Sequence, residues 1–223
     1  MGESDRSTNG STDGATGGTA DGATADGATA EDVARAAAAI RDGGAVVYPT
    51  ETVYGLGADA TDDESVERVY ELKRRPREKP LSVAVPDVET ALDYTRPTDR
   101  AVRFMREFLP GPVTVVVERR ETLADGLTAG RDRVGVRVPD HALALELLAE
   151  TPPITATSAN VSGEPSVTDL DDLDERVRTG VAVVLDGGTT PGGGSTVVDP
   201  ERGVVHRRGA LADEVEAWLE AHG

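Results

Sequence analysis

From about residue 31 onward, apolar residues recur in two rhythms, one of helical and one of strand period, and their order outlines a fold. Over residues 31–42, Val33, Ala36, Ala37 and Ile40 fall on one side of a helix, and Gly43-Gly44 supplies its stop. Ala45 to Tyr48 follows as a short buried strand. Asp62 or Asp63 can cap a second helix, whose inner side carries Val66, Val69 and Tyr70. Leu81 to Val85 predicts the next strand, and helical stretches at 87–94 and 98–108 come after it. The valine-rich runs Val113 to Val117 and Val134 to Val138 predict two more strands, because β-branched side chains suit a pleated surface. A helix over 140–149 carries Leu143, Leu145, Leu147 and Leu148, and Ile154 to Ala156 is again short and apolar. Leu170, Leu173 and Val177 mark a further helix, and Val181 to Leu185 a further strand. Thr196 to Val198 and Val204 to His206 pair as late strands before a last helix at 211–221, expected to bury Leu211, Val215, Trp218 and Leu219. Strands and helices alternate irregularly. The expected fold is therefore α/β (α+β): a twisted mixed β-sheet with flanking helices, in one domain over 30–223.

Residues 1–29 lack this pattern. They are mostly Gly, Ser, Thr, Ala and Asp, with Asp-Gly-Ala-Thr at 13–16, 21–24 and 26–29, and no apolar residue larger than alanine follows Met1. Such a stretch cannot bury enough surface to offset its ordering entropy, so it is expected to be a disordered acidic tail.

Composition narrows the chemistry. There are no cysteines, which excludes disulfides, thiolate metal sites and cysteine nucleophiles. The three histidines, His141, His206 and His222, have no metal-ligand spacing. No apolar run reaches membrane-spanning length and no signal-peptide core opens the chain, so a soluble, cytoplasmic protein is expected. Acid outweighs base, 41 Asp+Glu against 23 Lys+Arg, for a net charge of −18. A surface this acidic suits a cytosol of high salt and argues against a broad nucleic-acid footprint.

Against that background residues 72–81 stand out. The only two lysines of the chain, Lys73 and Lys79, lie here with Arg74, Arg75 and Arg77 between them, and Pro76 and Pro80 stiffen the segment. Ammonium and guanidinium groups are common partners of phosphate, so this reads as an anion-binding strip. Three polar loops follow predicted strands: Pro49 to Gly57, Thr157 to Asn160 with Ser162 to Ser166, and Gly187-Gly188 with Gly192 to Thr196. Small hydroxyl and amide side chains beside free backbone N–H groups suit phosphate or ribose oxygens. Neither a Walker A loop nor a G-x-G-x-x-G dinucleotide fingerprint is present.

Taken in order, PTETVYGLGADA, the K-x-R-P-x-x-K-P-L strip, LPGPVTVVVE, VGVRVPDH, TSANVSGEPSVT, LDGG, GST-x-VD and R-x-GAL closely resemble the YrdC-like threonylcarbamoyl-adenylate synthases, over about residues 31–211. The acidic composition is of the haloarchaeal kind, and the chain resembles the single-domain form. The resemblance implies an open sheet with a concave cationic face and a reaction in which L-threonine, bicarbonate or CO2, and ATP with Mg²⁺ give threonylcarbamoyl-AMP and pyrophosphate. A separate transferase complex would carry the group to tRNA, and binding of tRNA itself would be weak. Lys73, Arg75, Arg77 and Lys79 match the family's phosphate-contacting strip, with Lys73 and Arg75 as the electrostatic catalysts. Ser158, Asn160, Ser166 and Arg207 match further ATP-binding positions, and Thr50, Arg137 and Ser195 match positions that hold threonine. No covalent nucleophile and no protein-bound metal are implied. This chain has Leu81-Ser82-Val83-Ala84-Val85 where many relatives carry a histidine, Thr157 in place of a proline, and Gly194 in place of a glutamate. Two other classes of function fit parts of the pattern: a non-enzymatic RNA- or nucleotide-binding protein of the same fold, and a carbamoyl-adenylate domain of the hydrogenase-maturation type.

Overall fold

The computed structural model describes residues 27–222. Most of the tail expected over 1–29 thus lies outside the described residues, but its last residues belong to the fold. Ala28 is buried, and Thr29 caps the first helix, α1 (Ala30–Arg41), in a reciprocal box with Asp32. Val33, Ala36, Ala37 and Ile40 form its buried side, as the 3.6-residue period requires.

The chain continues through β1 (Val46–Tyr48), β2 (Gly55–Gly57), α2 (Asp63–Lys73), β3 (Ser82–Ala84), α3 (Val88–Tyr94), α4 (Asp99–Phe108), β4 (Val113–Glu118), β5 (Arg133–Arg137), α5 (Ala142–Ala149), β6 (Ile154–Ser158), α6 (Glu175–Gly180), β7 (Val183–Val184), β8 (Thr196–Asp199), β9 (Val204–Arg207) and α7 (Ala212–Ala221). The nine strands form one mixed sheet in the order β7-β1-β2-β6-β3-β5-β4-β8-β9. The pairs β1–β7, β3–β5 and β4–β8 are parallel and the others antiparallel.

Alternation along the strands decides what each face of the sheet meets. Val47, Leu56, Val83, Val115, Val117, Val134, Val136 and Val198 point to one face and join Val69, Tyr70, Phe104, Met105, Val177 and Val215 in the larger core. Val46, Tyr48, Ala84 and Ile154 point to the other face, where α1 and α5 cover only the β7-side half with Ile40, Leu143, Leu147 and Leu148. The other half of that face, over β3, β5, β4 and β8, carries no helix and forms a concavity. Ser82, Thr114, Gly135, Arg137 and Val197 line it.

Three expectations change. The Gly55–Gly57 stretch, read as loop, is a strand that pairs antiparallel with both β1 and β6. Leu211, expected in the core, is 40% exposed, because it precedes α7 in a left-handed conformation that turns it outward. The helix expected around Leu170 to Val177 is split into a 3-10 turn at Leu170–Asp172 and the short α6. No helix among the described residues is long and apolar enough to cross a membrane.

Candidate active site

The uncovered half of the sheet holds a cavity of about 800 Å³. Six arginines line it, Arg75, Arg131, Arg133, Arg137, Arg202 and Arg207, against two carboxylates, Asp132 and Asp199. In a chain of net charge −18 this is a local reversal of sign.

The arginines differ in what balances them. Arg133 is neutralised inside the protein: its Nη2 lies 2.9 Å from Asp199, a residue with no exposed surface, and its Nη1 lies 2.8 Å from Glu201. Arg137 donates one amino group to Glu51 (3.0 Å) and to the Thr52 hydroxyl (2.7 Å), while its buried Nε meets no acceptor among the described residues. Arg75 bends over its own turn and donates to the carbonyls of Lys79 and Pro80, both at 3.0 Å. Arg207 donates to the Ser195 carbonyl (2.8 Å) and hydroxyl (2.9 Å). Neither Arg75 nor Arg207 has a carboxylate partner among the described residues. Burial lowers the pKa of both, and for Arg207 the nearby Arg137 and Arg75 lower it further. Two other guanidinium groups thus act on Arg207 across the cavity, an arrangement that an incoming anion would relieve.

Hydroxyls complete the wall. Ser195 is buried and shares a 2.8 Å hydrogen bond with Thr114 on β4. Thr50, also buried, donates to the Val53 carbonyl at 2.6 Å and accepts from the Thr52 and Val53 amides, which ties the loop between β1 and β2 into a tight turn. At the floor, β5 carries Gly135 between Ser82 and Thr114. A Cβ there would stand 2.5 Å from the Ser82 hydroxyl and 2.8 Å from the Thr114 methyl, so only glycine keeps the floor open. Tyr48 forms the end wall, its phenol pushed up to about 12 by burial and therefore held neutral.

The cationic strip does not act as one surface. Arg75 lines the cavity, but Arg77 is turned away, paired with Glu67 and lying over the Tyr70 ring. Lys79 is exposed, and its side chain is absent from the cavity wall. Lys73 is 1% exposed, and its ammonium donates to the Ser158 and Asn160 carbonyls. As positioned here, neither Arg77 nor Lys79 nor Lys73 reaches the space the strip was expected to serve. The reason is helical geometry: Lys73 belongs to the inner side of α2, whereas Arg77 and Lys79 lie beyond the left-handed Arg74 that ends it. Ser158, at the end of β6, and Ser166, in the loop after it, line the cavity. The Asn160 side chain instead faces inward and donates to the Val161 and Glu164 carbonyls, each at 2.8 Å. Arg137, expected to hold threonine, already has one amino group engaged by Glu51. Sequence reasoning missed Thr114, Gly135, Arg133 and Asp199. The period of two backward from Arg137 pointed to Gly135 and Arg133 on the same face of β5.

The Sua5–YciO–YrdC family, described as "Telomere recombination", matches residues 38–209. A threonylcarbamoyl-AMP synthase of Bacillus subtilis is 41% identical over 161 residues, which cover 71% of this chain and 46% of that protein. The crystal structure of Sua5 from Pyrococcus abyssi complexed with L-threonine superposes with a TM-score of 0.79 at 36% identity, over 85% of this chain and 57% of that one. YciO of Escherichia coli superposes with a TM-score of 0.75 at 25% identity, over 82% and 91% of the two chains. The chain spans about half the length of the first curated relatives it matches. With matched residues running from α1 to the turn after β9, the chain belongs to the Sua5–YciO–YrdC family.

Proposed function

We propose that this protein is an L-threonylcarbamoyladenylate synthase, which joins L-threonine, bicarbonate or CO2, and ATP into threonylcarbamoyl-AMP with release of pyrophosphate. The observation that carries the reading is the excess of guanidinium over carboxylate in the cavity, with Arg75 and Arg137 both acting on Arg207 there. Threonine's amine and CO2 form a carbamate, whose oxygen attacks the α-phosphorus of ATP. The new P–O bond forms as the bond to the bridging oxygen of the β-phosphate breaks, and that oxygen leaves on pyrophosphate. Nucleophile and electrophile are both anionic, so the chemistry needs cations that lower their repulsion and neutralise charge moving onto the leaving group.

In this reading Arg75 and Arg207, which have no acid partner among the described residues, take the phosphates together with the Ser158 and Ser166 hydroxyls. Arg137 takes the threonine carboxylate through the amino group that Glu51 leaves free, beside Thr50 and Ser195. Among the described residues no group of three or more His, Cys, Asp or Glu side chains could hold a metal. Mg²⁺ would arrive on the phosphate oxygens of ATP. No side chain need form a covalent bond: orientation of two bound reactants can supply about 7–11 kcal/mol of the barrier. The product would pass, in the cytoplasm, to a transferase that acts on tRNA.

The reading is tested by pyrophosphate release from ATP in high-salt buffer with bicarbonate. Release is expected to depend on L-threonine and to be poorly supported by serine or valine. Release independent of the amino acid, or none at all, would overturn it and leave RNA or nucleotide binding as the next property to measure.

A further inference from the structure

Lys73 is a cation without a counter-ion. Its ammonium is buried and makes no ion pair among the described residues, and the charge that acts on it is another cation, Arg75. An ammonium stripped of water survives only where hydrogen-bond acceptors return part of its hydration. Here the acceptors are the carbonyls of Ser158 and Asn160, on either side of Ala159. The backbone of Lys73 holds the same loop, since its carbonyl accepts from the Ser162 amide at 2.8 Å. Asn160 closes the loop from inside through the Val161 and Glu164 carbonyls, and the Ser158 hydroxyl donates to its Oδ1. The loop's carbonyl oxygens are therefore drawn onto Lys73 and Asn160, neither of which lines the cavity, while Ser158 does. Carbonyl oxygens facing the cavity would repel a polyanion. Drawn away, they leave the arginines to meet it, joined by the Ser158 hydroxyl when its proton turns from Asn160 to the anion.

We propose that Lys73 is a positioning residue, which acts on the anionic substrate through the loop from Ser158 to Glu164 and does not itself touch the phosphates. This rests on the cavity being a nucleotide site. It assigns Lys73 to the architecture of the wall and leaves Arg75 as the strip's contact with the anion.

The test is a pair of double-mutant cycles read by ATP affinity in calorimetry, which needs no turnover, with thermal melting as a check on folding. Lys73→Met keeps the length of the side chain and removes its charge and donors. Alone, Lys73→Met and Ser158→Ala are each expected to weaken ATP binding about tenfold, the scale of one charge-assisted contact. Together they should weaken it no more than about twofold beyond the larger single effect, because both act through one loop. Lys73→Met with Arg207→Gln, which removes a cation that does not act on Lys73, should instead multiply. Multiplicative losses for Lys73→Met with Ser158→Ala would show two independent contacts and overturn the proposal. Should Lys73→Met fail to fold, Asn160→Ala loosens the same loop with Lys73 in place, and unchanged ATP affinity in that variant would overturn it as well. A pH series gives a readout that packing alone would not move. Arg75 is the charge beside Lys73, and Tyr70 and Glu164 are titratable side chains on the segments that hold it. Wild-type affinity should fall as pH rises past neutrality and Lys73 discharges, and Lys73→Met should lack that fall. Wild-type protein that binds no ATP would instead refute the functional reading.

Discussion

Burial, and then the neighbouring Arg75, lowers the Lys73 pKa from 10.5 to about 7. Between those values the unfolded chain holds one proton more than the folded chain. The stability contributed at this position therefore rises with pH across that window, the reverse of a lysine that gains an acidic partner. Denaturant unfolding of the wild type and Lys73→Met at pH 6.5, 8 and 9.5 should show the difference moving in favour of the wild type as pH rises. A difference independent of pH would mean the ammonium keeps its ordinary affinity for protons. The same residue shows why the sequence was legible only in part. Counting along α2 from Val66 and Val69 or Tyr70 puts Lys73 on the inner side of the helix, a signal present in the spacing. Reading the five cations as one strip obscured it, because charge density is a property of a stretch and direction a property of each residue. Arg137, Thr50 and Ser195 could be placed from their motifs, but the prior claim of Glu51 on Arg137 is a tertiary contact that no local pattern encodes.

At the scale of elements, amphipathic helices and valine-rich strands were legible because burial follows period. The side of α1 and the strands β4 and β5 fall where their apolar residues put them. The short strand β2 was not, since Gly-Leu-Gly has little strand propensity. Its glycines serve packing instead: a Cβ on Gly55 would lie 2.7 Å from the Tyr48 ring, and one on Gly57 2.6 Å from the Ile154 side chain. That closeness lets the Tyr48 ring cross the strand and end the cavity. The turn after β9 is as tight. A Cβ on Gly209 would stand 2.2 Å from the Gly194 carbonyl oxygen and 2.6 Å from the Ser195 carbonyl carbon, both backbone atoms with little room to yield. Gly209→Ala is expected to destabilise the protein by about 1–3 kcal/mol, the usual range for overpacking. It should also loosen the hold of Arg207 on Ser195. Urea unfolding measures the first effect, and a Gly209→Ala protein as stable as wild type would show that the turn can relax.

Over the whole molecule, charge is divided by location: a net −18 in the chain and an arginine-rich hollow on the open half of the sheet. Salt screens the general repulsion over a length of about 8 Å at physiological strength and less above it, so simple salts should raise the melting temperature. Pyrophosphate should raise it further at matched ionic strength, by mass action on the folded state. Arg207→Gln should lose most of that extra rise while keeping the response to potassium chloride. Equal effects of the two salts on the wild type would reduce the hollow to ordinary screening. The order of strands has a consequence of another kind, for the making of the protein. β6 lies between β2 and β3, although about 70 residues or more separate it from either in sequence. A growing chain that has reached α5 holds β1 with β2, and β3 with β5 and β4, as two sheet fragments with open edges and no strand between them. Only residues 154–158 join the fragments, and Ser195 and Arg207 arrive later still. Thr50, Arg75, Arg137 and Arg207 therefore come to face one hollow only once β9 has been made, and a chain that stops short of it presents no completed hollow.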